Sequence, residues 1–188
     1  MKELMALPEL GDFYLVGGTA LALQIGHRNS IDLDLFCDLT WDPEAIIHVL
    51  PEPKEQTAAT SVFQGYYVRN VKCDFVRYRY PRILPLIVDD GVRMADPLEI
   101  AAMKFMAITN RGRKKDFVDL YYLLEMYSME EIFGLFEVKF PSVQQFLVVR
   151  SLCYFGDAEA DPDPEMLEGV SWDQMKSEIL ERVRKFAS

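Results

Sequence analysis

Two short segments near the start of the sequence constrain the fold more than any other feature. The first, FYLVGGTALAL at 13–23, predicts a strand, a tight Gly-Gly turn and a helix, in that order. The second, SIDLDLF at 30–36, alternates polar and apolar residues and predicts another strand. Because a single helix fills the interval between Gly18 and Asp32, we expect the two strands to lie side by side, with the glycine turn near the aspartates.

Asp32 and Asp34 stand two positions apart in the second predicted strand. Residues i and i+2 of a strand share a face and lie roughly 6.6 Å apart, so Ile31, Leu33 and Leu35 are expected to anchor the opposite face. Two carboxylates this close repel unless a positive charge lies between them, and Mg²⁺ prefers such oxygen ligands. The pattern therefore indicates a divalent metal site, although a half-exposed strand with a solvated face would show the same alternation.

The Gly17-Gly18 turn would let a phosphate approach backbone N–H groups at the N-terminus of the following helix. Thr19 is expected to cap that helix and Gly26 to end it. A plain turn is the simpler interpretation of the glycines alone. Combined with a metal site, however, a phosphate cradle suggests chemistry on a nucleotide.

Composition narrows the class of protein. The chain has 188 residues, is 50% hydrophobic, and carries a net charge of −10 with a pI of about 4.7. It can form one domain with a closely packed helical extension, and it lacks the basic surface that sequence-independent nucleic-acid coating requires. Cys37, Cys73 and Cys153 are widely spaced, which predicts reduced thiols in the cytoplasm. No signal-peptide-like or membrane-length apolar run occurs, so we expect a cytoplasmic protein without a membrane partner.

The first half of the chain is patterned for strands. Strands are predicted at 13–16, 31–36, 61–68, 71–79 and 92–94, the last as an edge strand. Asn70 indicates a hairpin, and Asp42 is expected to cap a helix over 43–50. Residues 54–60 are predicted as a polar loop or helix. Asp74, on the second strand of the hairpin, is a third carboxylate on a β-patterned run.

The pattern becomes helical from Asp96, which together with Pro97 and Glu99 forms a capping arrangement. Helices are predicted at 97–109, 113–127, 129–137, 142–155 and 171–186, with an acidic linker at 157–169. The fold class is therefore α/β (α+β), with the strands over 1–95 followed by helices over 96–188.

The strings LVGGTALAL, GHRNSIDLDLF, KCDFV, DPLEIAAMKFMAI and RGRKKDFVDLYYLL, in this order, resemble the minimal nucleotidyltransferases of the DNA polymerase β superfamily. Within it they are most similar to the AbiEii-type abortive-infection toxin group, over about residues 13–125. The resemblance implies a mixed sheet flanked by helices and followed by a helical bundle. It also implies transfer of a nucleoside monophosphate from an NTP to an acceptor, with Mg²⁺, expected as two ions, or Mn²⁺ in its place. Because some members modify tRNA ends as toxins, it also implies a tRNA, other RNA or protein acceptor and a cognate antitoxin.

The resemblance assigns catalytic positions to Asp32, Asp34, Asp74 and Lys104, the three aspartates being the metal ligands. Asp74 could serve as ligand, as acceptor of the proton from the attacking hydroxyl, or only as a salt-bridge partner of Lys72 or of an arginine on the facing strand. Lys104 could bind the triphosphate, or could pair with Glu99 or Asp116 in a structural ion pair.

The remaining matched positions are those expected to contact the nucleotide or to lie beside it: Gly17, Gly18, Thr19, Arg28, Ser30, Lys115, Asp116 and Asp119. Asp116 and Asp119 share a helix face, where pairing with Arg113 and Lys115 is the structural alternative. The basic residues from Arg111 to Lys115, and the arginines and tyrosines over 77–82, are candidate surfaces for an RNA phosphate, although solvated surfaces would show the same composition.

Two other functions fit the same sequence. An acidic cleft suits a cationic aminoglycoside, so a small-molecule nucleotidyltransferase of the antibiotic-modifying kind is one alternative. A catalytically silent binding or regulatory module of the same fold is the other, although retention of all three carboxylates and the glycines argues against it.

Overall fold

The computed structural model describes residues 1–167 and 169–188. The chain divides into two compact units. The sheet unit comprises Met1–Ala20 and Ser30–Asp96, and the helical unit comprises Leu21–Asn29 and Pro97–Ser188.

The sheet unit contains the strands β1 (Tyr14–Val16), β2 (Leu33–Cys37), β3 (Lys54–Ala59), β4 (Phe63–Val68), β5 (Val71–Arg77), β6 (Ile87–Asp89) and β7 (Val92–Met94). They form one mixed sheet in the order β3-β4-β5-β2-β1-β7-β6. β2 runs parallel to β5 and β1 parallel to β7, whereas β1 and β2 are antiparallel neighbours. The predicted adjacency of the first two strands and the mixed α/β class are both confirmed.

The β4–β5 hairpin turns where the sequence predicts. Arg69 and Asn70 both have positive φ, at 50° and 66°, and the flanking residues Val68 and Val71 are register partners. Two consecutive residues with positive φ are what a two-residue hairpin needs to match the twist of its strands. This hairpin sets the register of β5 and therefore the position of Asp74.

Short helices complete the sheet unit: α1 (Lys2–Met5), a 3-10 turn at Pro8–Leu10, the first turn of α2 (Gly17–Ile25) and α3 (Pro43–Val49). Asp42 caps α3 as predicted, because its Oδ1 accepts a hydrogen bond from the Glu44 backbone N–H at 2.9 Å.

Four local expectations for this unit are wrong. Within residues 54–60, predicted as a loop or helix, Lys54–Ala59 form edge strand β3, which pairs with β4. The strand is mostly exposed and shows no apolar alternation in its sequence. β7 is not an edge strand, since β6 pairs along its outer side. Ile31 precedes β2 and is 74% exposed, so it anchors nothing. Thr19 does not cap α2, because the helix already begins at Gly17.

The helical unit contains the end of α2 followed by α4 (Pro97–Arg111), α5 (Lys114–Met126), α6 (Met129–Lys139), α7 (Gln145–Leu152), α8 (Gly156–Glu159) and α9 (Trp172–Phe186). α4 packs against α5, α6 and α7, and α9 packs against the same three helices. Phe133 lies in this core, with its ring centroid 4.8 Å from that of Phe105 and 4.6 Å from that of Phe186. The predicted helical bundle is therefore present.

Helix ends follow their sequence signals with two exceptions. Gly26 and Gly112 follow α2 and α4 with φ of +66° and +51°, and Ser171 caps α9. The helix predicted at 142–155 is shorter, as α7, and the linker predicted at 157–169 begins within α8. None of the helices in the described residues is both long enough and apolar enough to cross a membrane.

Candidate active site

Asp34 and Asp74 occupy directly paired positions on the parallel strands β2 and β5. Paired residues on neighbouring strands project from the same face of a sheet, so both carboxylates lie on one side. The residues that flank them along the strands, Leu33 and Leu35 on β2 and Cys73 on β5, are buried on the opposite face. The predicted alternation of acidic residues on one face and apolar residues on the other is thus present around Asp34 and Asp74.

Asp32 lies just before β2 rather than within it. Its backbone carbonyl accepts a hydrogen bond from Thr19 Oγ1, whose hydroxyl is also 2.9 Å from Ser30 Oγ. The hydroxyls of Thr19 and Ser30 thus link the first turn of α2 to the segment that precedes β2. Thr19 and Ser30, which the resemblance matched to nucleotide-contacting positions, hold the backbone beside the aspartates.

Gly17 lies directly against the carboxylate of Asp34. A Cβ atom at Gly17 would stand 2.6 Å from Asp34 Oδ2, and the residue has a φ of +68°. The positive φ favours glycine here, and an added Cβ atom would force the Asp34 carboxylate to shift. Gly18 follows in the first turn of α2 and is half-buried.

Lys72 supplies a positive charge beside these carboxylates. Its ammonium donates a hydrogen bond to Asp74 Oδ2. That bond, and after it the charges of Asp74, Asp34 and Asp32, raise the pKa of the Lys72 ammonium above its ordinary value. The salt bridge that the sequence left open as an alternative for Asp74 is therefore formed, and Lys72 lies within the field of all three carboxylates.

The donor set fits a hard divalent cation. Asp74 Oδ1 is buried and receives no hydrogen bond from the described residues, so this carboxylate oxygen has unused capacity to accept one. Oxygen donors from aspartates are the ligands that Mg²⁺ and Mn²⁺ prefer. Within residues 1–167 and 169–188, no group of three His, Cys, Asp or Glu side chains is already assembled in a metal-binding arrangement. Binding a cation would therefore require side-chain adjustment, including at Asp74, whose other oxygen holds Lys72.

The helical unit contains a second, fully buried charge cluster centred on Asp119. Asp119 Oδ1 accepts hydrogen bonds from Arg28 Nε at 2.6 Å and pairs with His27 Nε2 at 2.7 Å. Its Oδ2 lies 2.5 Å from Lys104 Nζ. Burial alone would raise the pKa of the Asp119 carboxyl, but Lys104, then His27 and Arg28, hold it well below its usual range.

Lys104 joins Asp119 to Asp116. Its Nζ lies 2.8 Å from Asp116 Oδ1, and Arg111 Nε donates to Asp116 Oδ2 at 2.9 Å. Burial acts to lower the pKa of the Lys104 ammonium, but the Asp119 and Asp116 charges raise it above its ordinary value. Lys104 is thus paired with Asp116, one of the two partners that the sequence suggested, while Glu99 accepts a hydrogen bond from Lys139 at 2.6 Å instead.

The basic cluster at the start of α5 is largely paired with acidic residues. Arg113 Nε donates to Asp161 at 2.7 Å, and Lys114 Nζ donates to Asp163 at 2.9 Å. Lys115 is exposed on the outer face of the helix. Asp116 and Asp119 do not pair with Arg113 or Lys115, because the helix directs them into the core.

Comparison with models of protein families identifies the family of this chain. A family model described as "Nucleotidyl transferase AbiEii toxin, Type IV TA system" matches residues 1–187. The chain belongs to the AbiEii nucleotidyltransferase toxin family. It is accordingly an enzyme that transfers a nucleotidyl group from an NTP, and membership of a type IV toxin–antitoxin family implies a cognate antitoxin.

Similar proteins support the same fold. The protein "Uncharacterized protein aq_aa25" of Aquifex aeolicus (strain VF5) is 31% identical over 199 residues, which cover 99% of this chain and 93% of that protein. Among solved structures, the MenT4 nucleotidyltransferase toxin Rv2826c from Mycobacterium tuberculosis H37Rv matches with a TM-score of 0.70 at 15% identity, over 100% of this chain and 81% of that one. JHP933 from Helicobacter pylori matches with a TM-score of 0.62 at 18% identity, over 98% and 85%.

The sequence pointed to the carboxylates but did not reveal the Asp119 cluster. His27 and Arg28 precede Asp119 by 92 and 91 residues, and no local pattern joins them. The available indications were the two aspartates three positions apart on one face of α5 and the lysine at position 104 within α4.

Proposed function

We propose that this AbiEii-family protein transfers a nucleoside monophosphate from an NTP to RNA, tRNA included, with Mg²⁺ held by Asp32, Asp34 and Asp74. The observation that carries the proposal is the pairing of Asp34 with Asp74 on neighbouring parallel strands. Gly17 supports it, because this glycine turn brings the start of α2 against the Asp34 carboxylate.

The metal would be held chiefly through carboxylate oxygens. When bound, Mg²⁺ supplies neutralisation of triphosphate charge and activation of the attacking hydroxyl. Mn²⁺ prefers the same ligands and is a suitable substitute in experiments. We expect two ions, as in other two-metal enzymes, with Asp32 and Asp34 as the common ligands.

The start of α2 is the proposed phosphate cradle. Backbone N–H groups at Gly17 and Gly18 belong to the first turn of a nine-residue helix, where the helix dipole favours negative charge. Thr19 and Ser30 support this turn through their own hydrogen bonds. Their proposed contribution is to position the cradle relative to Asp32.

Asp74 is the proposed proton acceptor as well as a metal ligand. Its Oδ1 receives no hydrogen bond from the described part of the chain, so it can accept the proton of an attacking hydroxyl. The nucleophilic oxygen would then attack the α-phosphorus of the NTP, and pyrophosphate would leave.

For Lys104, Arg28, Asp116 and Asp119 we propose a positioning role within the helical unit. Lys104 Nζ is already engaged by two carboxylates and is 7% exposed, so it has little freedom to reach a triphosphate. A buried network of this kind fixes α4, α5 and the loop at 27–29 in one arrangement. Lys115, by contrast, is exposed and is proposed to contact the NTP tail or an RNA phosphate.

RNA is the proposed acceptor class. Arg113 and Lys115 are exposed at the start of α5, and the segment 77–82 of the sheet unit interleaves arginines with tyrosines. In that segment the Arg79 guanidinium lies 4.8 Å from the centroid of the Tyr80 ring. Arginine-tyrosine surfaces suit phosphate contact combined with base stacking.

The test is a transfer assay with each of the four α-labelled NTPs, total cellular RNA, tRNA, total protein and an aminoglycoside panel. We expect Mg²⁺-dependent label in the RNA fraction, and in the tRNA fraction if tRNA is the acceptor, and none with Asp34→Asn or Asp74→Asn. Label in protein or in an aminoglycoside would show that RNA is the wrong acceptor, while nucleotidyl transfer itself would stand. Absence of label with every acceptor and every NTP would contradict the proposal.

A further inference from the structure

The contact between Lys72 and Asp74 lies within the proposed metal site. Both residues belong to β5 and are two positions apart, so their side chains share the face that carries Asp34. The Lys72 ammonium holds Asp74 Oδ2, while Oδ1 of the same carboxylate receives no hydrogen bond from the described residues. One half of the Asp74 carboxylate is therefore occupied by an internal cation.

The charges of the neighbouring carboxylates give the lysine at position 72 a role. Asp34 and Asp74 bring two negative charges to one face of the sheet, and Asp32 adds a third just before β2. Clustered carboxylates destabilise one another unless a cation is present. Lys72 supplies one positive charge to this group. Its side chain is 40% exposed, so the ammonium can leave Asp74 for solvent without unfolding the strand.

We propose that Lys72 is a resident counter-ion that occupies the metal site of the metal-free enzyme and is displaced from Asp74 when a divalent cation binds. This inference rests on the proposed function, because it concerns the same carboxylates. Lys72 stabilises the empty carboxylate cluster and at the same time weakens metal binding, since the cation and the ammonium compete for one oxygen.

The chain offers a matched control for this contact. Lys54 also pairs with an acidic residue two positions away, at 3.1 Å from Glu52, but that glutamate is 72% exposed. Lys54→Met removes the same charge from the sheet unit without touching the carboxylate cluster. Lys72→Arg keeps the charge and is the conservative variant at the proposed site.

The Mn²⁺ affinity of the full chain tests the proposal. It can be measured by calorimetric titration and by the electron paramagnetic resonance signal of free Mn²⁺. We expect Lys72→Met to bind Mn²⁺ about tenfold more tightly than the wild type, the smallest effect typical of removing a charge at contact distance. Lys54→Met and Lys72→Arg should remain close to the wild type. Equal or weaker binding by Lys72→Met would overturn the inference and would make Lys72 a structural or phosphate-binding residue.

Thermal unfolding gives a second readout that does not depend on activity. In EDTA, Lys72→Met should melt below the wild type, because the carboxylates lose their counter-ion. Saturating Mn²⁺ should remove the difference. An identical melting temperature in EDTA would overturn the stabilising half of the proposal.

Asp34→Asn separates this inference from the proposed function. If Asp34→Asn leaves Mn²⁺ affinity unchanged in both the wild-type and the Lys72→Met backgrounds, the carboxylates are not the metal site and the proposed function fails. If Asp34→Asn weakens binding while Lys72→Met binds as the wild type does, the metal site stands and only the role of Lys72 is wrong.

Discussion

Gly17 and Asp34 are in such close contact that a methyl group on the glycine would lie 2.6 Å from the Oδ2 atom of the aspartate. Two elements meet at this point: the turn that begins α2 and the strand that carries a candidate metal ligand. The glycine is therefore explained by a contact inside the protein as well as by any phosphate that binds nearby.

Gly17→Ala should accordingly lower both stability and transfer activity. A side chain at a φ of +68° costs about 1–2 kcal/mol, and the clash with Asp34 adds about 1–3 kcal/mol of overpacking. Urea denaturation of the wild type and the variant measures the loss. Gly26→Ala is the matched control, because Gly26 has a φ of +66° but no atom within 4 Å of the added Cβ. If both substitutions lower the free energy of unfolding equally, the contact with Asp34 contributes nothing to the loss. If Gly17→Ala lowers it more, the double variant Gly17→Ala/Asp34→Ala should recover the additional loss.

Asp34→Asn should abolish transfer and leave the fold at least as stable in EDTA. The substitution removes one of three clustered negative charges, while the amide keeps the shape of the side chain. Transfer of labelled NTP and thermal unfolding in EDTA measure the two effects on one preparation. A large drop in melting temperature would identify Asp34 as a structural residue, and persistent transfer would remove it from the site.

The sequence predicted most accurately the features that local patterns encode. The strand, glycine turn and helix around Gly17, the β4–β5 hairpin at Asn70 and the cap at Asp42 all depend on neighbours within a few residues. β3 was missed because an exposed edge strand needs no apolar alternation, and its pairing with β4 becomes visible only in three dimensions. The sequence cannot specify such tertiary partners.

The charge clusters show the same limit. Lys72 and Asp74 are two positions apart, and their pairing was open from the sequence as an alternative. The contacts of Asp119 with His27 and Arg28 span 92 and 91 residues, and only the folded helical unit brings these groups together. A lysine such as Lys104 in an apolar helix indicated that a partner exists, without deciding between a triphosphate and a carboxylate.

Lys104→Met should destabilise the protein strongly and leave the NTP affinity of the folded fraction unchanged. Breaking a buried ion pair by removing one partner costs about 3–5 kcal/mol, and here Asp116 and Asp119 both lose a cation. Asp116 keeps its hydrogen bond from Arg111, and Asp119 keeps its contacts with His27 and Arg28. Because neither carboxylate is left without a partner, we expect a loss near the lower end of that range. Urea denaturation gives the stability, and calorimetric titration with each NTP and Mg²⁺ gives the affinity. Lys115→Met removes a charge from the exposed face of α5 and is the stability control. A variant of normal stability that binds NTP poorly would instead assign Lys104 to the triphosphate.

The Asp119 network predicts a dependence of stability on pH. The folded-state pKa values of Asp119 and Asp116 lie below the unfolded value of about 3.9, so their stabilisation is complete above that value and is lost as pH falls through the folded pKa. The folded-state pKa of Lys104 lies above the unfolded value of about 10.4, so its stabilisation is complete below that value and is lost as pH rises further. The free energy of unfolding, measured by urea denaturation between pH 2.5 and 6, should fall more steeply in the wild type than in Asp119→Asn. Parallel curves would show that Asp119 does not carry the acid sensitivity.

Asp161 and Asp163 pair with the basic residues at the start of α5. Asp161 accepts hydrogen bonds from Arg113 Nε at 2.7 Å and from the Lys114 backbone N–H at 2.9 Å, and Asp163 holds Lys114 Nζ at 2.9 Å. If RNA is the acceptor, the double variant Asp161→Asn/Asp163→Asn should bind RNA more tightly, because two cations are released for phosphate contact. Fluorescence anisotropy with labelled RNA over a salt series should show a steeper salt dependence, by about 0.7 in log–log slope for each new contact to a single strand.

Removing negative charge anywhere on an acidic protein would itself favour RNA binding, so the prediction needs a variant of equal charge. Glu130→Gln/Glu137→Gln supplies it, since both glutamates are exposed on α6. Circular dichroism should show that both double variants remain folded. The prediction requires that the aspartate variant exceed the glutamate variant in both affinity and salt slope. If the two respond alike, the effect is one of net charge and the start of α5 is not an RNA contact surface. If only the aspartate variant responds, the segment containing Asp161 and Asp163 shields a nucleic-acid-binding surface that the acceptor must uncover.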